Sequence, residues 1–422
     1  MEAVKEKTLA TGMKDAAFRK LCSELNKKLQ LYLVGEQLKS EKFVHQQLWE
    51  KISEERGLHD QAKSARKKQR KILEDEPTNT LNLFRKFEIE GSDYTDDFQE
   101  GKKLNQLSFD QYAKAFDLMI IHERIQNILQ YEQTVRKGSE EIVEKPWLYE
   151  EILIYLESNP SYVEEAGVSF VLRYIHYLKG ERGISKIDLA QSFKNEYHKL
   201  DKNFASNLFG VLISIYGRDL RQEWGPKNMN DAYELYTWGL EEELLLFENH
   251  FHKSHFHNLI TYSLYLNKSE DTKRYIKELS PLLHPGVRDD YIMLANCLLD
   301  FHTGKYEKVF KLRLSSFPNP TVELGCRILV IKSLYDSFGP DKVDKTEVEA
   351  ELKAIRNRIY SAKNISEGNK QYTLNRWANF YKLMKTENFE ERLKLWEEIK
   401  VQAGNVDTDW FKSHLTQVRK NN

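Results

Sequence analysis

The chain has 422 residues, with 64 Lys and Arg against 65 Asp and Glu and a hydrophobic share of 40%. This length suffices for two or three domains or for one elongated array. The net charge of −1 provides no long-range field for polyanions, and 22 Tyr, 21 Phe and 7 Trp exclude disorder of the whole chain. Because the 19 Gly and 9 Pro are few, long helices are the expected element.

Cysteine content and apolar runs bear on the compartment. The three cysteines, Cys22, Cys297 and Cys326, are too few for a disulfide framework and are typical of a reducing compartment. Residues 1–12 contain charges and no apolar run of signal-peptide length. The longest near-continuous apolar stretch, Leu208–Tyr216, is about half of the ~20 residues that cross a bilayer. We therefore expect a cytoplasmic protein without membrane insertion.

Apolar residues recur at helical spacing in several segments, and no comparable stretch alternates with period two. One such segment lies at residues 112–129 and another at residues 389–399. Each predicts a helix with an apolar stripe on one face. The first stripe in the chain consists of Phe18, Leu21, Cys22, Leu25, Leu29, Tyr32 and Leu33.

Turn-forming residues separate the predicted helices and leave one or two helices in most intervals. Ser161, Ser185 and Ser366 lie beside such breaks and are expected to cap helix N-termini. The sequence thus predicts a chain of helical hairpins. The breaks fall at Pro77, Gly91, Lys145-Pro146, Asn159-Pro160, Gly225-Pro226, Pro285-Gly286, Pro318–Pro320 and Gly339-Pro340.

The presumed turns between paired helices recur at irregular intervals. Asp188, Asp231, Asp271 and Tyr306 follow one another after 43, 40 and 35 residues. Helix pairs with such a period cannot bury their apolar faces alone, so neighbours stack into a superhelix with a concave face. The predicted fold class is therefore an all-α superhelix, an α-solenoid, of paired antiparallel helices.

The clearest single repeat lies at Tyr291–Pro320. Its first helix reaches Thr303, Gly304–Lys308 makes the turn, and Pro318 and Pro320 close the second helix. This segment resembles a tetratricopeptide repeat. Helix pairs should cross less closely than in a regular array, because larger residues stand where that family packs Gly or Ala. Those residues lie at or near Cys297, Val309 and Ser316.

Three short motifs carry a wider resemblance: Phe256–Thr261, the spacing of Tyr372, Asn375 and Phe380, and Asp409–Phe411. From about residue 13 to the end, the chain is similar in layout to an uncharacterised family of helical proteins from Bacteroidetes. Members of that family look longer at the N-terminus, so we expect a shortened form or a misplaced start. The resemblance implies a degenerate tetratricopeptide-like fold and no established activity.

The predicted organisation has three parts. Residues 1–12 form a flexible N-terminus, residues 13–145 an N-terminal helical region, and residues 146–422 a tetratricopeptide-like helical-repeat region.

Four of the 12 histidines are clustered at His250, His252, His255 and His257. On one helix, His250 and His257 share a face while the other two lie near the opposite face, so one metal cannot collect all four. If a loop leads into a helix at about Phe256, two or three of them could converge. We expect no metal and no cofactor, with these side chains facing solvent or lying near helix caps.

A basic run at residues 63–71 contains six positive charges, and such a patch can neutralise phosphates. It lacks interleaved aromatic residues. The acidic residues 74–76 follow directly, and the segment 88–100 is also acidic, so we expect neighbouring carboxylates to quench the patch. The alternative function is a regulatory module that contacts nucleic acid or a regulator through residues 63–71. Because of the quenching, nucleic acid is not the expected partner.

Enzyme signatures are missing from the sequence. It contains no G-x-G-x-x-G, G-x-x-x-x-G-K-[ST], G-x-S-x-G, H-E-x-x-H or C-x-x-C. We expect no enzymatic activity, no catalytic residue and no small-molecule substrate.

Two polar and aromatic stripes are the candidate protein-binding residues. Each stripe falls on one face of its helix, and in tetratricopeptide-like arrays the first helices of the pairs line the concave surface. Asparagines in such a groove could hold the backbone of an extended peptide, whereas in the alternative interpretation the tyrosines are core residues and the asparagines bridge helices. The favoured function is a non-catalytic protein–protein interaction scaffold or adaptor for a protein or peptide partner. The stripes are Asn258, Tyr262 and Tyr265, and Tyr372, Asn375 and Asn379.

Overall fold

The computed structural model describes residues 15–101, 106–136, 144–165, 167–181, 183–247, 250–312, 319–340, 342–362, 367–402 and 407–416. Most of these residues lie in α-helices, which confirms the predicted all-α class. Within these ranges the only strands are Leu246–Phe247 and His250–Phe251, a two-residue antiparallel pair.

The described residues divide into two compact units. Unit 1 contains the residues up to Ile175 together with Glu196–Asp201, and unit 2 contains His176–Asn195 and the residues from Lys202 onward. The division falls within a helix, whereas the sequence analysis placed the change between residues 145 and 146.

The helices of unit 1 include two in which the sequence predicted an apolar stripe, α1 and α5. Along the chain, α2 packs on α3 and α4 packs on α5. The helices are α1 (Asp15–Ser40), α2 (Lys42–Glu55), α3 (His59–Glu74), α4 (Thr80–Gln99), α5 (Gln106–Arg136), α6 (Tyr149–Ser158) and α7 (Pro160–Val163), followed by α8 (Val168–Lys179), which ends in unit 2.

Unit 2 begins with the end of α8 and continues with twelve further helices in its described residues. The last apolar stripe predicted from the sequence, at residues 389–399, lies on helix α19. The helices are α9 (Lys186–Glu196), α10 (Lys202–Gln222), α11 (Pro226–Glu241), α12 (Lys253–Tyr265), α13 (Ser269–Leu279), α14 (Pro285–His302), α15 (Tyr306–Lys311), α16 (Pro320–Phe338), α17 (Lys345–Ser361), α18 (Glu367–Lys385), α19 (Phe389–Ile399) and α20 (Thr408–Leu415).

Polar caps explain where several helices begin. Ser185 precedes α9 and exchanges hydrogen bonds with Asp188, which confirms the predicted cap. The prediction for Ser161 is wrong, because Ser161 lies inside α7 and Asn159 occupies the N-cap position. Ser366 lies outside the described residues. Side-chain oxygens also cap α4, α16, α17 and α19, from Asn79, Asn319, Asp344 and Asn388.

Paired helices recur through unit 2. The presumed turn residues Asp188, Asp231, Asp271 and Tyr306 lie in the first two turns of α9, α11, α13 and α15. Consecutive helices contact each other from α10 to α20. In addition, α12 packs on α14 and α14 packs on α16, so alternate helices also contact one another.

The segment that resembles a tetratricopeptide repeat is described only in part. Helix α14 ends at His302, α15 begins at Tyr306, and Pro320 is the first residue of α16. The predicted helix-closing Pro318 and the packing position at Ser316 lie outside the described residues.

The cysteines of unit 2 are core residues. Cys297 of α14 and Cys326 of α16 are both buried and unpaired by disulfides. A hydrogen bond with the Cys326 thiol, together with burial, raises the pKa of Cys297 above its usual range. Cys22 in unit 1 is partly exposed.

A glycine sets how closely α10 and α11 approach. Gly239 of α11 faces the buried ring of Phe209, and a Cβ atom at residue 239 would overlap that ring. The ring in turn packs against Phe193 and Trp238, so it has little room to move.

We expect Gly239→Ala to lower the free energy of unfolding by about 1 to 3 kcal/mol, because the added methyl group overpacks this contact. The matched control is Gly210→Ala in α10, where an added Cβ meets no atom within 4 Å. That change should be neutral or should stabilise by up to about 1 kcal/mol. Urea unfolding of both variants measures the difference, and equal stabilities would contradict the packing argument.

Candidate functional site

The first predicted stripe lies on α12, and two of its three residues contact helix α11. The Asn258 amide nitrogen donates to the Tyr236 hydroxyl at 2.9 Å. Tyr262 is buried, and its ring meets the Tyr236 ring edge to face with 5.6 Å between centroids. The side chains of Asn258 and Tyr262 therefore connect α12 to α11.

The asparagines of the second stripe, on α18, have different surroundings. Asn379 is buried and exchanges two amide hydrogen bonds with Gln402, at 2.8 and 3.2 Å. Asn375 is exposed and accepts a hydrogen bond from Gln371 one turn earlier. Of the two, only Asn375 presents its amide to solvent.

The remaining residues of the two stripes, Tyr265 and Tyr372, lie near an ionic group that the sequence analysis did not identify. Asp407 is 1% exposed, and its carboxylate accepts from Nε of Arg376 at 2.6 Å and from Nη2 at 3.0 Å. Lys332 Nζ lies 2.6 Å from the same carboxylate. We call Tyr265, Tyr372, Arg376, Lys332 and Asp407, together with His257, the Arg376 cluster.

The charges of this cluster stabilise one another. Burial alone would raise the pKa of Asp407, but the positive charges of Arg376 and Lys332 hold it well below its usual range. Burial likewise opposes the charge of Arg376, whereas Asp407 raises its pKa. The carboxylate therefore stays ionised at neutral pH, and Arg376 is held by two parallel hydrogen bonds.

The Arg376 cluster contains two tyrosine rings with different contacts. Arg376 lies over the ring of Tyr372, with Cζ 5.6 Å from the centroid. Tyr265 meets the rings of Trp224 and His302 at 5.0 and 5.6 Å. Burial and the charge of Asp407 raise the pKa of Tyr265, so its hydroxyl is protonated at neutral pH.

His257 is the member of the histidine cluster that lies near Arg376. Burial and the positive charge of Arg376 lower the pKa of His257 to about 4. The imidazole is therefore neutral at physiological pH, although the residue keeps partial solvent exposure.

Two side chains of the Arg376 cluster, those of Tyr372 and Arg376, remain partly accessible. Tyr372 is 38% exposed, and the Arg376 side chain retains 19% of its accessible surface. The pair with Asp407 uses Nε and Nη2, which leaves Nη1 of Arg376 outside that pair. The cluster thus offers a fixed cationic donor beside tyrosine rings, an arrangement that can bind a carboxylate or a polar backbone segment.

A second carboxylate fixes the last described helix. Asp336 of α16 accepts from Trp410 Nε1 at 2.9 Å and lies 2.8 Å from His414 Nε2. The Tyr306 hydroxyl donates to its other oxygen at 3.2 Å. Trp410, which belongs to one of the motifs of the wider resemblance, thereby ties α20 to α16.

The other clustered histidines have different roles. His250 packs against His284, with 5.6 Å between ring centroids. His252 caps α12 through its Nδ1, and His255 contacts both the His252 ring and the Tyr236 hydroxyl. Among the described residues, no group of three or more His, Cys, Asp or Glu is placed to hold a metal ion.

The basic segment 63–71 lies on α3 in unit 1, and its arginines are paired. Arg66 is 2% exposed and contacts four carboxylates at 2.7 to 3.0 Å. Arg70 pairs with Glu90 and Asp93, and Lys63 pairs with Glu100. The predicted quenching by neighbouring acids is confirmed for these three positions. The carboxylates around Arg66 belong to Glu50, Glu54, Asp93 and Asp96.

Comparisons with protein-family models, with curated proteins and with solved structures found no match for this chain. In the described residues, no helix combines the length and the apolar character needed to cross a membrane.

Sequence reasoning missed Arg376 and Asp407, which are 31 positions apart. A signal for Arg376 was present, because it follows Tyr372 by four residues and so shares the face of the second stripe. No local signal marked Asp407, since it precedes a short helix and its partners lie in α16 and α18.

We expect Asp407→Asn to lower the free energy of unfolding of unit 2 by about 3 to 5 kcal/mol, because it leaves two buried cations without their anion. Asp409→Asn is the matched control, since Asp409 is exposed and two positions away, and it should change stability by less than about 0.5 kcal/mol. Urea unfolding followed by tryptophan fluorescence measures both. Similar losses in the two variants would show that the pair does not organise this unit.

The lowered pKa of His257 predicts a dependence of stability on pH. Between pH 6.5 and pH 4 the unfolded chain binds a proton at this residue that the folded chain does not, so stability falls as the pH falls. His257→Asn should remove about 2 to 3 kcal/mol of the stability loss between pH 7 and pH 4.

The measurement is the difference in unfolding free energy between this variant and the parent at each pH, because other buried histidines are present in both. The difference should be constant above about pH 6.5 and should change below it. If the unfolding free energies of the variant and the parent differ by the same amount down to pH 4, the lowered pKa of His257 is contradicted.

Proposed function

We propose that the chain is a non-catalytic protein-interaction scaffold that binds a partner segment through the exposed side of the Arg376 cluster. The observation that carries this proposal is a cation fixed in place by a buried carboxylate, partly accessible, and flanked by tyrosine. Arginine and tyrosine are enriched among the residues that dominate protein interfaces. Because the Nη1 group of Arg376 lies outside the pair with Asp407, the partner group that fits best is a carboxylate.

The wider architecture proposed is an all-α superhelix of paired antiparallel helices in the tetratricopeptide manner. Support comes from the recurrence of paired helices in unit 2 and from the packing of α12 on α14 and of α14 on α16. In stacked repeats, the first helices of successive pairs contact one another and present one continuous face. The stripes on α12 and α18 would both contribute to that face.

The proposed location is the cytoplasm. All three cysteines are unpaired, and a reducing compartment keeps thiols in that state.

The alternative, contact with nucleic acid or a regulator through residues 63–71, receives no support from the side chains. Three of the six basic residues in this segment, Lys63, Arg66 and Arg70, form ion pairs with carboxylates. A phosphate backbone is bound by cations that can exchange their counterions, and these three already have carboxylate partners.

Affinity capture of the tagged full chain from its native cytosol, with nuclease-treated lysate run alongside, tests the scaffold. We expect a discrete, nuclease-resistant partner that Tyr372→Ala binds at least about 30-fold more weakly, since tyrosine hot spots contribute about 2 kcal/mol or more. The matched control is Tyr360→Ala, which removes another exposed tyrosine of unit 2, 70% exposed on α17. The melting temperature of both variants should stay close to that of the parent.

Equal retention of the partner by both variants would exclude the Arg376 cluster as the contact surface. Recovery of nuclease-sensitive material alone would favour the basic segment instead.

A further inference from the structure

Helix α1 exposes most of the apolar stripe that its sequence predicts. Leu25, Leu29 and Tyr32 are 64%, 50% and 62% exposed, and Leu21 and Leu33 are more than half exposed. Contiguous apolar surface of this kind on a folded chain marks an interaction site or a risk of aggregation.

The spacing of the stripe specifies the shape of what covers it. Cys22, Leu25, Leu29 and Tyr32 are separated by 3, 4 and 3 residues, which is the seam spacing of two helices that pack side by side, whereas Phe18 before them is buried. The next seam position is Glu36, so the apolar seam ends at Tyr32. The complementary surface is therefore another helix with an apolar seam about one and a half heptads long.

We propose that helix α1 pairs with helix α1 of a second copy of this chain, parallel and in register, to form a homodimer. In this arrangement each seam residue meets its own counterpart, so Leu25 faces Leu25 and Leu29 faces Leu29 across the two-fold axis. A second copy supplies a seam of matching length and composition without any further partner.

Charge beside the seam selects the parallel orientation. With the helices parallel, Lys28 lies beside Leu33 of the second copy and covers it with its aliphatic stem. With the helices antiparallel and Leu25 opposite Leu29, the two Lys28 side chains would face each other at the centre of the seam. Like charges placed together in this way destabilise a helix pair, and the parallel register brings like charges together only beyond the end of the seam, at Glu36.

The area of the seam sets the expected strength. The exposed surface of Leu21, Leu25, Leu29, Tyr32 and Leu33 is on the order of 500 Å² per chain, or about 1,000 Å² for two chains. That value lies at the lower limit for specific interfaces, so the dimer should dissociate in the micromolar range. This inference concerns unit 1 and does not depend on the scaffold function proposed for unit 2.

Sedimentation equilibrium of the full chain, from about 1 to about 100 µM, tests the dimer. We expect the mass to rise from 49.9 kDa toward twice that value. The double substitution Leu25→Glu and Leu29→Glu should weaken association at least about 30-fold. It should leave the fold intact, as judged by the melting temperature, because both residues are exposed.

Leu31→Glu is the matched control, since Leu31 is 73% exposed on the same helix but outside the seam. It should associate as the parent does. A mass of 49.9 kDa throughout the range would overturn the proposal, and equal weakening by Leu31→Glu would overturn the choice of face.

Mild oxidation of the full chain tests the orientation. In the parallel register the two Cys22 thiols lie opposite each other, whereas Cys297 and Cys326 are buried. We expect a covalent dimer on a non-reducing gel, absent from Cys22→Ser. A dimer by mass that gives no Cys22 cross-link would overturn the parallel register.

Discussion

The buried carboxylate of Asp407 constrains the positions of three helices in unit 2. An isolated ion at 1% exposure would cost several kcal/mol to bury, so Arg376 and Lys332 have to remain within hydrogen-bonding distance. These partners come from α18 and α16, and Asp407 itself directly precedes α20. One carboxylate therefore fixes the mutual positions of three helices. It also orients the Arg376 guanidinium, since Nε and Nη2 are engaged and Nη1 lies outside the pair.

Unit 1 uses the inverse arrangement, in which a buried cation is surrounded by anions. Arg66 of α3 forms ion pairs with carboxylates of both neighbouring helices. They are Glu50 and Glu54 of α2 and Asp93 and Asp96 of α4. The same contacts remove Arg66 from the basic surface that the run at residues 63–71 suggests. A cluster of charge in a sequence is therefore no measure of surface potential, because a helix turns some of its charges toward neighbouring helices.

Sequence periodicity predicted the helices well and their surroundings poorly. Apolar spacing located α1, α5 and α19, because one-sided burial imposes a 3.6-residue period wherever it occurs. The same spacing could not distinguish a stripe covered by its own chain from the exposed stripe of α1. In the candidate site, Asn375 and Asn379 lie on one face by spacing, yet Asn375 is exposed and Asn379 is buried against Gln402. Their difference depends on the residues after α19, which no pattern within α18 reports.

The ionic centre of unit 2 also bears on how the Arg376 cluster would bind. A free arginine loses rotamer freedom when it contacts a partner, and that loss reduces affinity. Arg376 has already lost it, because two hydrogen bonds to Asp407 and contact with the Tyr372 ring hold the guanidinium. Lys332 contributes a second positive charge beside Asp407, so two cations share this buried carboxylate. The buried ion pair and the proposed binding of an anion would then be consequences of the same geometry.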